Sequence, residues 1–280
     1  MKTISEQLFE TYLRSHGLNE FDYEPEIAGT TMHPDYRVSL AELEIFFEVK
    51  GFEPREPIPA AGSCDPYSPI RSKINEAQKQ LHPLKGQMCG IVLADPHSPF
   101  IFLEPMEIYG GMLGNLGITM PFDVEAGAFD SERATQAFLS GGKMIRYKDG
   151  DAIAPQNTTI SAVCVLGAVG EGSRLGIRIA NWERKTGQSR TLESVLDMAV
   201  EAHGTEADAS VHRLRLQVYE NPYAVAPLAE AFGMGPWDER FGVRDGCLLR
   251  VFAGLSLAAF EADERASGLE RPDPLGLRRG

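Results

Sequence analysis

The sequence predicts an α/β fold in which a mixed sheet is flanked by helices, and three observations carry that expectation. Residues 88–94 (MCGIVLA) are a continuous apolar run of strand length, as a central strand covered on both faces requires. Residues 70–82 (IRSKINEAQKQLH) set Ile70, Ile74, Ala77 and Leu81 on one helical stripe. Residues 34–50 (PDYRVSLAELEIFFEVK) read as a β-hairpin. With a helix and a strand ahead of them, the order becomes αβββαβ, followed by a C-terminal elaboration.

Residues 4–16 are amphipathic, with Ile4, Leu8, Phe9, Tyr12 and Leu13 on one stripe and Gly17 as the stop. Glu6 falls near the edge of that stripe and Glu10 on its far side, where solvent is expected. Residues 21–28 read as the first strand, with Pro25 marking an edge. In the hairpin, Tyr36–Leu40 alternates, AELE makes the turn, and Ile45–Lys50 is aromatic and β-branched. Residues 51–69 hold five prolines and read as a long loop that could rim a groove. Beyond residue 94 the expected elements are strands at 100–103, 159–166 and 211–219. Helices are expected at 131–139 and at Leu192–His203, with a turn-rich segment at 221–232 and a disordered tail at 267–280.

Side chains alternate faces along a strand. Glu48 and Lys50 therefore share one face, and a hairpin can bring Asp35 alongside them. Two carboxylates at bonding distance repel unless a cation sits between them. Oxygen ligands of this kind suit Mg²⁺ or Mn²⁺. A lysine beside them is a compact cation able to face a phosphate. These are the parts for metal-assisted hydrolysis of a phosphodiester. A surface hairpin carrying a Glu–Lys pair is the plainer alternative.

Asp35 with Glu48-Val49-Lys50 resembles the active-site motif of the PD-(D/E)XK nuclease superfamily, whose members share the restriction-endonuclease-like fold, and αβββαβ is that fold's core order. The resemblance implies that Asp35 and Glu48 hold the metal, with the Val49 carbonyl as a further ligand, and that Lys50 assists the attacking water. The run EQLFETYLRSHG resembles the opening E-x-x-x-x-x-Y-L-x-x-x-G of Holliday-junction-resolvase-like members, with Glu6, Tyr12, Leu13 and Gly17 on those positions. It places Glu6 at the metal site, whereas Thr3-x-x-Glu6 is equally a capping box. The helix after the E-x-K strand implies Arg71, Lys73 and Gln78 as phosphate contacts, against their reading as a solvated helix face. On this resemblance residues 1–105 form a catalytic core and 106–266 an elaboration of the same domain.

Composition bounds the rest. The 280 residues carry a formal net charge of −13, which argues against nucleic-acid binding through bulk positive charge and leaves room for a local basic groove. Cys64, Cys89, Cys164 and Cys247 are widely spaced, so neither a zinc site nor a disulfide framework is indicated. A P-loop, G-x-S-x-G and H-E-x-x-H are all absent. No apolar run suits a membrane span and no signal core opens the chain, so cytoplasm is the expected compartment. DNA is the expected partner, a homodimer is compatible, and a catalytically silent nuclease-like binding or assembly protein is the alternative.

Overall fold

The first helix, α1 (Ile4–Ser15), starts where Thr3 can cap it: the Thr3 hydroxyl accepts the Glu6 N–H at 3.2 Å, and the Glu6 carboxylate accepts the Thr3 N–H at 2.5 Å. This is seen in a computed structural model that describes residues 1–29, 31–53, 65–96, 103–119, 121–123, 127–129, 135–148, 151–168, 214–244 and 247–255. The helix buries Phe9, Tyr12 and Leu13, while Ile4 in its first turn stays exposed. Glu10, expected in solvent, is buried. Lys2 and Arg14 pair with it and the Tyr36 hydroxyl donates to it at 3.1 Å, so its charge is compensated.

Strands β1 (Phe21–Tyr23), β2 (Tyr36–Leu40) and β3 (Leu43–Gly51) form an antiparallel meander. The first strand is shorter than expected. The chain turns at Glu24, with φ 48°, and Pro25 has no N–H to continue the ladder. The hairpin closes Leu40 onto Leu43, and Ala41 takes φ 54° in a turn that contains no glycine. Helix α2 (Ser68–Leu81) buries Ile70, Ile74, Ala77 and Leu81, and leads through a short 3₁₀ turn into β4 (Met88–Ala94), parallel to β3.

Helix α3 (Pro105–Leu113) has no counterpart among the expected elements. Gly110 and Gly111 let it lie directly on α2: a Cβ at Gly110 would come within 2.3 Å of the Tyr67 ring, and one at Gly111 within 2.5 Å of Ile70. Four small strands follow: β5 (Gly114–Thr119), β6 (Phe122–Asp123), β7 (Ala128–Phe129) and β8 (Thr135–Gly141). Antiparallel pairing of β8 with β5 overturns the helix expected at 131–139 over its described part, because a ladder partner outweighs weak local helix propensity. β9 (Ile145–Lys148) and β10 (Asp151–Pro155) make a hairpin.

β11 (Ile160–Ala168), β12 (Leu214–Glu220), β13 (Glu239–Arg244) and β14 (Cys247–Ala253) complete one mixed eight-stranded sheet, ordered β1-β2-β3-β4-β11-β12-β13-β14. The last two strands were not expected. Pairs β3–β4, β4–β11 and β12–β13 are parallel. Helix α1 covers one face, where Phe9, Tyr12 and Leu13 meet Tyr36, Phe47, Val92 and Cys164. Helices α2 and α3 cover the other, where Ile70, Ile74 and Ile108 meet Phe46, Ile91, Leu93 and Val163. The molecule is thus an α/β fold with a large mixed sheet flanked by helices. Of the strand expected at 100–103 only Leu103 is described, and it lies in no strand; the helix at Leu192–His203, most of the proline-rich loop and the tail lie outside the described residues. No helix among the described residues is long and apolar enough to cross a membrane.

Candidate active site

Strand alternation decides where the motif residues go. Ile45, Phe47 and Val49 join the core under α1, and Phe46 joins the core under α2. Glu48 and Lys50 therefore face the α2 side. The Lys50 ammonium donates to Glu48 Oε1 at 2.6 Å. Asp35, just ahead of β2, reaches across the meander, and its Oδ2 accepts the Val49 backbone N–H at 2.7 Å. That bond fixes the carboxylate at β3, beside the Glu48–Lys50 pair. Val49 contributes its N–H to this arrangement.

The electrostatics are those of crowded carboxylates. Glu48 is 2 % exposed, and burial followed by the charge of Asp35 pushes its carboxyl up to about 7 against the opposing pull of Lys50. Its Oε2 is buried with no close hydrogen-bond partner among the described residues. Burial also raises Asp35; the Val49 N–H and Lys50 offset this, while Glu6 and Glu24 add to it. Burial pulls the Lys50 ammonium down, but Glu48, Asp35 and Glu76 together outweigh it and raise it. The two partners of one ion pair thus disagree: the ammonium is favoured and the carboxylate is not. Lys50 faces three carboxylates, whereas Glu48 faces one lysine and a second carboxylate in a buried site. We take Lys50 as firmly charged and Glu48 as the member that titrates.

Glu6 is held by its cap, with Oε2 on the Thr3 N–H, yet its charge still acts on Asp35 and on Tyr23. The capping-box reading of Glu6 therefore holds, and Asp35, Glu48 and Lys50 remain as the motif residues. Burial raises the Tyr23 phenol to about 12, with Glu24, Glu6 and Asp35 adding to the effect. Glu24 was missed in the sequence. The β1–β2 register sets Tyr23 against Tyr36, so Glu24 comes next to Asp35 and donates its N–H to the Asp35 carbonyl at 2.8 Å. Nothing local in the chain signals that pairing. His33, in the stretch between β1 and β2, lies with Nδ1 3.2 Å from the Pro25 carbonyl.

Helix α2 divides its polar residues between two sides. Lys73 pairs with Glu76 at 3.2 Å, and Glu76 acts on Lys50, so this side adjoins the motif. Glu76 was also missed, although its spacing of three from Lys73 was a readable signal. Arg71 lies on the other side and is occupied within the fold: it donates to Asp65 at 3.0 Å, to the Gly110 carbonyl at 3.1 Å and to Asn115 at 2.6 Å. Gln78, two turns further along α2, shares the Arg71 side and is half-buried.

Among the described residues no three His, Cys, Asp or Glu side chains converge as a ready cage for a metal. What the site offers is two carboxylates and one orphaned oxygen. That suits Mg²⁺, which typically takes one or two protein carboxylates and fills its remaining positions with water and substrate phosphate. The chain matches no protein-family model, no curated protein and no solved structure.

Proposed function

We propose that the chain is a Mg²⁺- or Mn²⁺-dependent nuclease of the PD-(D/E)XK type, with a restriction-endonuclease-like core, acting on DNA. The observation that carries this reading is Glu48 Oε2: a buried carboxylate oxygen with no close hydrogen-bond partner among the described residues, next to a second carboxylate and a lysine. An isolated buried charge of that kind is costly, and a divalent cation would compensate it. Asp35 and Glu48 would hold the cation, with the Val49 carbonyl as the further ligand that the resemblance implies. Bound there, it would supply Lewis acidity toward a phosphoryl oxygen.

The chain's own residues supply the rest. The Val49 N–H orients Asp35. The Lys50 ammonium, anchored on Glu48, can orient the attacking water and offset negative charge that grows on the phosphoryl group. The Lys73–Glu76 pair on α2 places a second cation on the same side. A second reading, a silent nuclease-like binding protein, is favoured by the net charge of −13. In that reading Lys50 and Glu48 are simply a half-open ion pair.

Plasmid nicking and calorimetric Mn²⁺ titration separate the two. The wild type is expected to bind Mn²⁺ and cut DNA. Lys50→Ala is expected to bind the ion and cut nothing, and Asp35→Ala to lose both. Equal Mn²⁺ binding by wild type and Asp35→Ala would remove the site. Binding without cleavage of any nucleic acid would favour the silent reading.

A further inference from the structure

The register of the central sheet links the motif to residues far along the chain. Lys50 pairs with Leu93, Leu93 with Val165, Val165 with Gln217, and Gln217 with Glu239. Cross-strand partners point to the same face. Lys50, Gln217 and Glu239 therefore stand in one row on the α2–α3 face, separated by the buried Leu93 and Val165. Beyond Gln217, at the same end of the sheet as Lys50, comes Arg215. Its cross-strand partner is Gly167, where an added Cβ would meet none of the described residues within 4 Å.

Arg215 is a built group, not a loose surface cation. Glu239, 4 % exposed, accepts from Arg215 at 3.2 Å and from Gln217 at 2.8 Å on Oε2, and from Arg250 at 3.1 Å on Oε1. One carboxylate thus holds two guanidinium groups. Arg215 spends one of its five N–H donors on Glu239. A guanidinium fork fixed from behind, with donors remaining, suits an oxyanion such as a phosphodiester. The carboxyl ends of parallel strands, where Lys50 lies, are the usual binding edge of α/β sheets.

We infer that Arg215 is a backbone-phosphate contact in the same groove as Lys50, and that the substrate is a polynucleotide strand laid along this rim and not a small phosphodiester. The inference rests on the nuclease reading. Three strand steps and two residues along β12 set Arg215 about 15 Å from Lys50. At the rise per nucleotide of B-DNA that is about four nucleotides. A dinucleotide at the Lys50 site cannot reach Arg215, and a longer strand can.

The test compares wild type, Arg215→Gln and Arg215→Lys on a dinucleotide and on a DNA oligonucleotide several times longer than that span. Cleavage is followed with Mn²⁺, and oligonucleotide binding by fluorescence anisotropy across a salt series. Arg215→Gln is expected to raise KM for the oligonucleotide by about tenfold, the effect of losing one charged hydrogen bond, with kcat unchanged. The slope of log K against log salt should fall by about one. Turnover of the dinucleotide should not change. Arg215→Lys, which keeps a cation for Glu239, should retain the fold and the salt slope and lose part of the affinity. Equal losses on both substrates, or unchanged oligonucleotide binding and cleavage, would overturn the role of Arg215 while the nuclease reading stood. Oligonucleotide binding that weakens in Arg215→Gln without any cleavage would support the groove and overturn the nuclease. A wild type that neither binds nor cuts would overturn both.

Discussion

Replacing Glu48 by Gln should change how stability depends on pH, and the structure sets the size of the effect. The Glu48 carboxyl is raised from 4.5 to about 7, by burial first and then by Asp35. A carboxyl whose folded value exceeds its unfolded value holds its proton more tightly in the folded state. Its stabilising effect is therefore complete below the unfolded value. Stability falls as pH rises from 4.5 towards about 7, and the full cost is present above that. At about 1.4 kcal/mol per pH unit, the interval amounts to about 3 kcal/mol. Gln has the same shape, still offers Lys50 an oxygen, and does not titrate. Urea unfolding in EDTA from about pH 4 to about pH 8 should show the wild type losing about 3 kcal/mol relative to Glu48→Gln across that range. Mn²⁺ added at the alkaline end should restore the wild type and leave the variant nearly unchanged, because a ligand stabilises only the form that binds it. Parallel pH curves for the two proteins would refute the assignment of Glu48 as the strained carboxylate. Equal stabilisation by Mn²⁺ would refute it as a ligand.

Two predictions separate structure from site. Arg71→Ala should lower stability by about 1–2 kcal/mol, since a half-buried guanidinium joins α2 to Gly110, Asn115 and Asp65, and should leave the salt slope of DNA binding untouched; a reduced slope would return Arg71 to the groove. Asp238→Ala should cost about 3–5 kcal/mol in urea unfolding, because its fully buried carboxylate accepts the Tyr12 hydroxyl at 2.6 Å, the Leu216 N–H at 2.8 Å and the Gly235 N–H at 2.7 Å; a loss under about 1 kcal/mol would mean that water takes its place.

Most of the first ninety-four residues were legible because their signals are local. The period of 3.6 put Ile70, Ile74, Ala77 and Leu81 on one face of α2, and the period of two put Glu48 and Lys50 together. The same periodicity misjudged Glu10: it located the far side of a helix but could not know that Tyr36 and Lys2 would close over it. Helix α3 was illegible because Gly110 and Gly111 weaken helix propensity, and only the approach of Tyr67 and Ile70 explains them. β8 was illegible because its partner, β5, settles what local propensity leaves open.

The sequence by itself determined which residue types share a strand face or a helix stripe, and so the identity of the Asp35, Glu48 and Lys50 cluster. Only the tertiary structure decided what surrounds it. Glu24 reaches Asp35 through the β1–β2 register, and three successive strand pairings set Arg215 at the same end of the sheet as Lys50. Side-chain period is a property of a few consecutive residues. Pairing between distant strands is chosen by the burial of whole faces, and no short window of sequence contains it.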